Sequence, residues 1–160
     1  MRHDEDEHEL PEPVKRKRVL AETREVLRAA SEAYARWSCP STAECCQLAT
    51  TGRPPWLWPS EWALITEHLH RARRPLPPRR ADGGCPFLDE AGARCTIYEV
   101  RPFGCRTFFC HRVKGPAQQP TRATNDLLAQ LAGANLAWRD DAEAKPLPDW
   151  HAAAAPGTGG

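Results

Sequence analysis

No C-x-x-C pair occurs anywhere in the 160 residues, although the chain holds seven cysteines. That absence removes the usual zinc-finger spacing and the thioredoxin-like redox motif together. No apolar run approaches the roughly 18–20 residues that a bilayer span needs. The first residues, MRHDEDEHEL, are acidic where a secretory signal would place basic residues and then an apolar run. A cytoplasmic protein with no membrane partner is the expectation. Charge of one sign is missing too. A formal net charge of +1 provides no bulk electrostatic drive toward nucleic acid. No glycine-rich nucleotide loop follows a strand pattern. No Ser/His/Asp set, paired-carboxylate motif, internal repeat or heptad run stands out.

What remains is a chain sized for one domain. Hydrophobic residues are 41% and charged residues 27% of it, which suits a lean globular fold. Sixteen prolines and ten glycines fall largely in loops and tails, so the folded part should be shorter than the chain. A core of that size gains from an internal staple. Seven is an odd number, so disulfides within one chain cannot use every cysteine. In a reducing compartment, clustered cysteines point to metal ligands or redox groups.

Periodicity supplies the scaffold. Residues 1–13 read as a disordered leader. From Val14 to Trp37 the spacing predicts a helix whose inner stripe is Val19, Leu20, Thr23, Val26, Leu27, Ala30, Ala33, Tyr34 and Trp37. Lys15 to Arg18 form its solvated first turn. Trp56 and Trp58 should pack on the core or cover the cysteines. Ser60 is placed as the N-cap of a second helix over 61–73, with Trp62, Ile65, Leu69 and Ala72 on one face. Residues 73–84, RRPLPPRRADGG, read as a solvated linker. Residues 87–98 suggest two short strands around a Glu-Ala-Gly turn. Pro102 opens a helical turn or tight loop carrying Cys105. A third helix over 121–138 should turn Leu128, Leu131 and Trp138 inward. The final ten residues, HAAAAPGTGG, read as flexible. The predicted architecture is mainly α with a short β-hairpin, a small, irregular, metal-stapled single domain. Its parts are a leader (1–13), a cysteine-cluster domain (14–140) and a flexible tail (141–160).

The cysteines fall in two groups: Cys39, Cys45 and Cys46, then Cys85, Cys95, Cys105 and Cys110. Thiolates are soft ligands, and sets of four select zinc or iron–sulfur centres. Neighbouring side chains diverge, so Cys45 and Cys46 would serve two sites or one larger cluster more easily than a single small ion. His111 is a candidate eighth ligand, with His68 behind it.

The ordered set Cys39…Cys45-Cys46, Cys85-Pro86-Phe87-Leu88, Cys95, Ile97-Tyr98, Arg101-Pro102, Cys105-Arg106 and Cys110 resembles the YkgJ-like (CxxCxxCC) cysteine-cluster family. That family is described as a zinc- or iron-chelating domain. The resemblance covers roughly Trp37 to Cys110. It implies that the seven cysteines form a ligand pool for zinc, iron or an iron–sulfur cluster. Thr42 stands where the family has a second cysteine in its first group, which leaves one ligand short. Among the other motif residues, Arg101 and Arg106 are suited to offset thiolate charge, and Tyr98 to donate a hydrogen bond to sulfur or backbone. The same residues also suit simple packing and pairing within a turn.

Three rival functions follow from the same residues. Some proteins sharing the signature are similar to flagellin lysine N-methylases, which implies a cluster-dependent enzyme. A thiol redox module would need accessible, low-pKa cysteines. A nucleic-acid interaction module would rest on Arg71 to Arg80 and Lys15 to Arg18 alone.

Overall fold

The computed structural model of the chain describes residues 10–37, 46–107, 115 and 118–155, with 49 and 50 by backbone alone. The fold is mainly helical. In chain order the elements are α1 (Glu12–Ala33), α2 (Leu48–Thr51), β1 (Trp56–Leu57), α3 (Pro59–Arg71), a 3-10 turn (Tyr98–Val100), α4 (Phe103–Thr107), α5 (Thr121–Trp138), β2 (Lys145–Pro146) and α6 (Leu147–Ala154).

Helices α1 and α5 form the backbone of the scaffold, antiparallel and pinned at both ends. The Trp138 indole at the end of α5 donates to Glu12 at the start of α1 (2.9 Å). The Tyr34 hydroxyl just past α1 meets the Thr124 hydroxyl in the first turn of α5 (2.6 Å). The expected stripe is largely the buried one: Val19, Leu20, Thr23, Val26, Leu27 and Ala30 face inward on α1. The helix stops at Ala33, four residues before Trp37. Its chain then tightens into turns, with Trp37 donating to the Tyr34 carbonyl. On α5 the buried residues are Leu131, Ala134, Asn135 and Trp138. Leu128, expected inward, is 44% exposed. Leu127 packs on the core instead, because one residue rotates a side chain by about 100° around a helix.

Helix α3 is a wall shared by two cores. Its Leu64 joins α1, α5 and Phe103 in the first. Its Trp62, Ile65 and Leu69 join Leu57, Phe87, Leu88, Ile97 and Leu147 in the second. Ala72, assigned to that face, lies past the helix end and is exposed. The N-cap is Trp58 rather than Ser60, with Pro59 at the first helical position, where its missing N–H costs nothing. Ser60 is fully buried and serves a different purpose. Its backbone N–H donates to the Asn135 side-chain oxygen (3.0 Å), while its hydroxyl accepts from the Asn135 amide (2.9 Å) and from Thr23 (2.7 Å). One polar knot thus ties α1, α3 and α5 inside an apolar core.

Glu61 is the second buried tie, at 1% exposure. One carboxylate oxygen accepts the Trp58 N–H (2.7 Å), and the other accepts the Phe103 N–H (2.7 Å). It therefore caps α3 and holds the start of α4 at once. Burial pushes its pKa up to about 7, although both hydrogen bonds and the Arg106 charge pull the other way.

The sheet is a two-residue antiparallel pair, Trp56 with Pro146 and Leu57 with Lys145. The hairpin expected at 87–98 is reduced to one bridge, Leu88 with Cys95. Residues 147–154 fall within the segment expected to be a flexible tail, yet they form α6. Leu147 is 1% exposed and His151 6%. The Trp150 ring stacks on Trp62 (6.2 Å between centroids), and its indole donates to the Leu57 carbonyl (2.9 Å). His151 Nε2 donates to the Pro77 carbonyl (2.7 Å). The proline-rich 73–84 segment is likewise fastened rather than loose: Arg80 pairs with Asp82 and donates to the Asp89 carbonyl (2.6 Å), and Arg74 donates to the Thr96 carbonyl (3.2 Å).

Asn135→Leu keeps the volume but strands the buried Ser60 N–H, so it should lower stability by about 1–3 kcal/mol, read from urea denaturation. For Glu61, a folded pKa above the ordinary 4.5 means that the folded state holds the proton more tightly. Its contribution to stability is complete below about pH 4.5 and is lost as pH rises through about 7. Between about pH 5 and about pH 8, the urea midpoint of the wild type should therefore fall more than that of Glu61→Gln, which cannot titrate.

Candidate metal centre

The segment 85–97 is built to hold two cysteines over a core. Asp89 organises its turn: its N–H donates to the Arg94 carbonyl (2.9 Å), and its carboxylate accepts from Ala93 N (2.9 Å) and Arg94 N (3.3 Å). The Ala93 bond leads in holding this carboxyl below its usual pKa. Gly92 completes the turn at φ +68, a left-handed conformation that favours glycine. Past the turn, Thr96 sends both its N–H (2.7 Å) and its hydroxyl (2.6 Å) to the Phe87 carbonyl. Phe87, Leu88 and Ile97 sink into the second core. Cys85 and Cys95 are thereby held on opposite arms of one small turn.

Cys46, of the first cysteine group, meets Cys85, of the second, through the backbone. Cys85 N–H donates to the Cys46 carbonyl at 2.7 Å. Cys105 arrives from the other side on α4, its N–H bonded to the carbonyl of buried Pro102 (3.0 Å). The position of α4 is fixed by Glu61 through Phe103 N and by Arg106. The Arg106 guanidinium donates to the carbonyls of Arg101 (2.8 Å) and Glu99 (3.0 Å) and to the Ser31 hydroxyl of α1 (2.7 Å). Burial, then the neighbouring Arg101 charge, lowers its pKa to about 10, so it stays cationic at neutral pH.

Cys46, Cys85, Cys95 and Cys105 all line one cleft of about 1050 Å³. Cys85 is buried, Cys46 and Cys95 are half-buried, and Cys105 is exposed. Tyr98 and Arg101 line the same cleft, the guanidinium lying 3.9 Å from the Tyr98 ring centroid and donating to the Tyr98 carbonyl (2.9 Å). Trp56, expected on the core or over the cysteines, is 60% exposed and forms part of the cleft wall. Charged residues of the lining are Arg53, Arg94 and Arg101, with no Asp or Glu among the described lining residues.

The donor type fits zinc or iron, and four donors from three stretches of chain share a single cleft. Among the described residues, no three Cys, His, Asp or Glu side chains meet closely enough to hold one ion. Cys39, Cys45, Cys110 and His111 lie outside the described residues, as does Thr42. His68 sits half-buried on α3 and is not part of the cleft lining. Arg106 is turned to backbone carbonyls and to α1 rather than lining the cleft.

Sequence reasoning missed Glu61 and the cleft arginines Arg53 and Arg94. The only local sign of Glu61 was its place three residues after the N-cap, where a carboxylate commonly reaches back to the cap. Nothing local announced its second partner, 42 residues away.

Among the described residues, no helix is long and apolar enough to cross a membrane. No curated protein and no solved structure matches the chain. A family model does match, over residues 38–127, under the description "CxxCxxCC: Putative zinc- or iron-chelating domain". That span is more than half the chain and contains every cysteine and His111, and it supports metal binding as the class of function. The chain belongs to the CxxCxxCC family.

Proposed function

We propose that the protein holds a zinc or iron centre at the cysteine cleft. The supporting observation is the convergence of Cys46, Cys85, Cys95 and Cys105 on a single cleft, within a chain of this family. In this reading Cys39, Cys45 and Cys110 complete the ligand pool, with His111 as an additional donor. Thr42 leaves the first group one thiol short. Four thiolates around a divalent ion carry a net charge of about −2, which is costly to bury unless balanced. Arg101 and the nearby Arg106 supply positive charge, and Tyr98 a hydrogen-bond donor. The bound metal would contribute much of the folding free energy, because its ligands converge only in the folded chain.

Protein purified without oxygen or added metal should carry about one or two metal ions per chain. Iron with labile sulfide and a broad absorption near about 400 nm identifies an iron–sulfur centre, and colourless protein with zinc identifies a zinc thiolate site. Metal-free protein with seven reactive thiols would overturn the proposal. Cys95→Ser and Cys105→Ser should each weaken metal affinity by at least about tenfold, since even outer partners of a metal site are worth that much.

Arg106→Lys separates charge from geometry. Lysine keeps the charge but lacks the planar fork that reaches Arg101, Glu99 and Ser31 together. Metal retention and the urea midpoint should both fall in this variant. Full retention with an unchanged midpoint would show that charge alone matters at position 106.

A further inference from the structure

The cleft is far larger than a metal centre needs. Metal–sulfur bonds of about 2.3 Å fill only a small part of about 1050 Å³. That volume is at the scale of pockets that enclose a small organic molecule. Its lining is also biased in charge. The whole chain is nearly balanced, with 22 Lys and Arg against 21 Asp and Glu. The described lining nevertheless carries three arginines and no carboxylate.

The arginines differ in their commitments. Arg101 lies over Tyr98 and spends one donor on the Tyr98 carbonyl. The side chains of Arg53 and Arg94 make no hydrogen bond or ion pair among the described residues, although Arg94 contributes through space to lowering the Asp89 pKa. Each presents a planar fork of donors that matches a carboxylate or phosphate. Two aromatic rings complete the cleft: Trp56, its backbone fixed by pairing with Pro146, and Tyr98, 62% exposed beneath Arg101. Rings left this exposed provide flat apolar faces beside the guanidinium groups.

From this juxtaposition we propose that the cleft binds a small organic oxyanion bearing a flat ring, its carboxylate or phosphate on Arg53 and Arg94 and its ring against Trp56, since Arg101 already lies over the Tyr98 ring. This ligand site rests on the cysteine-cleft reading only for its location. It gives the metal centre a neighbour: a second, anion-selective half of the same cleft.

The test uses the full chain as purified. Adenosine 5′-monophosphate and 2-naphthoate, a ring-bearing phosphate and a ring-bearing carboxylate, are titrated by calorimetry, with inorganic phosphate as the ringless comparison. Bound metal is assayed on the same samples. At least one ring-bearing probe should bind with Kd below about 1 mM and outcompete inorganic phosphate; which of the two binds tells carboxylate from phosphate. The Arg53→Gln/Arg94→Gln double variant should weaken that binding by at least about tenfold with its metal content unchanged. Trp56→Ala should weaken it without altering phosphate binding. The proposal is overturned if neither ring-bearing probe binds, if inorganic phosphate binds as tightly, if Trp56→Ala binds as the wild type does, or if the double variant binds unchanged. Parallel loss of metal in the double variant would also overturn it, by assigning those arginines to the metal. Probe binding that depends on the arginines in a protein without metal would sink the metal reading and leave this one standing.

Discussion

A single buried carboxylate sets the relation between scaffold and cleft. Glu61 accepts the Trp58 and Phe103 amides at 2.7 Å each, and so locks the first turn of α3 to the first turn of α4. Both amides are groups that a helix start leaves without an internal partner. An uncharged apolar residue at 61 would leave two donors stranded, and burial of the ionised group is already opposed strongly enough to raise its pKa to about 7. The arrangement is costly, and it persists because it is fully satisfied on both oxygens. Cys105 follows two residues after Phe103, so the placement of that thiol depends on this bond.

The rest of the molecule divides the labour across α3. On one side, α1 and α5 with Leu64 and Phe103 form a helical core tied by the Thr23–Ser60–Asn135 knot. On the other, a second core of Leu57, Trp62, Phe87, Ile97 and Leu147 takes in Cys85, with Cys46 and Cys95 packed against it. That second core has little regular structure to hold it. It is fastened instead by individual bonds: Cys85 N to Cys46 O, Thr96 to Phe87 O, Arg106 to four acceptors, and α6 through Trp150 and His151. A small, bond-dependent core next to a group of cysteines is the setting in which a metal would contribute most to folding.

How much was legible in the sequence follows from the range of the interactions. The stripe on α1 and the bounds of α5 are carried by local periodicity, and the sequence shows both directly. The cysteine pattern is also readable, because spacing and neighbours such as Pro86-Phe87 and Arg101-Pro102 lie on one line of text. Glu61 was not legible: its second partner is 42 residues away, and an acid in a first turn ordinarily looks solvated. Helix α6 was missed because HAAAA reads as a tail until Leu147 and Trp150 find Leu57 and Trp62. Leu128 was misassigned by one position, because Leu127 and Leu128 lie four and three residues before Leu131 and both satisfy a helical spacing. Arg53 and Arg94 were invisible as a pair, since only folding sets residues 41 apart in one cleft.

The central claim is that sulfur from this cleft holds a metal. X-ray absorption at the metal edge of anaerobically purified protein tests it most directly. The account predicts a first shell dominated by sulfur at about 2.3 Å, diminished in Cys95→Ser and Cys105→Ser. A shell of nitrogen and oxygen alone at about 2.0–2.2 Å, unaffected by either substitution, would contradict it and place any bound metal elsewhere.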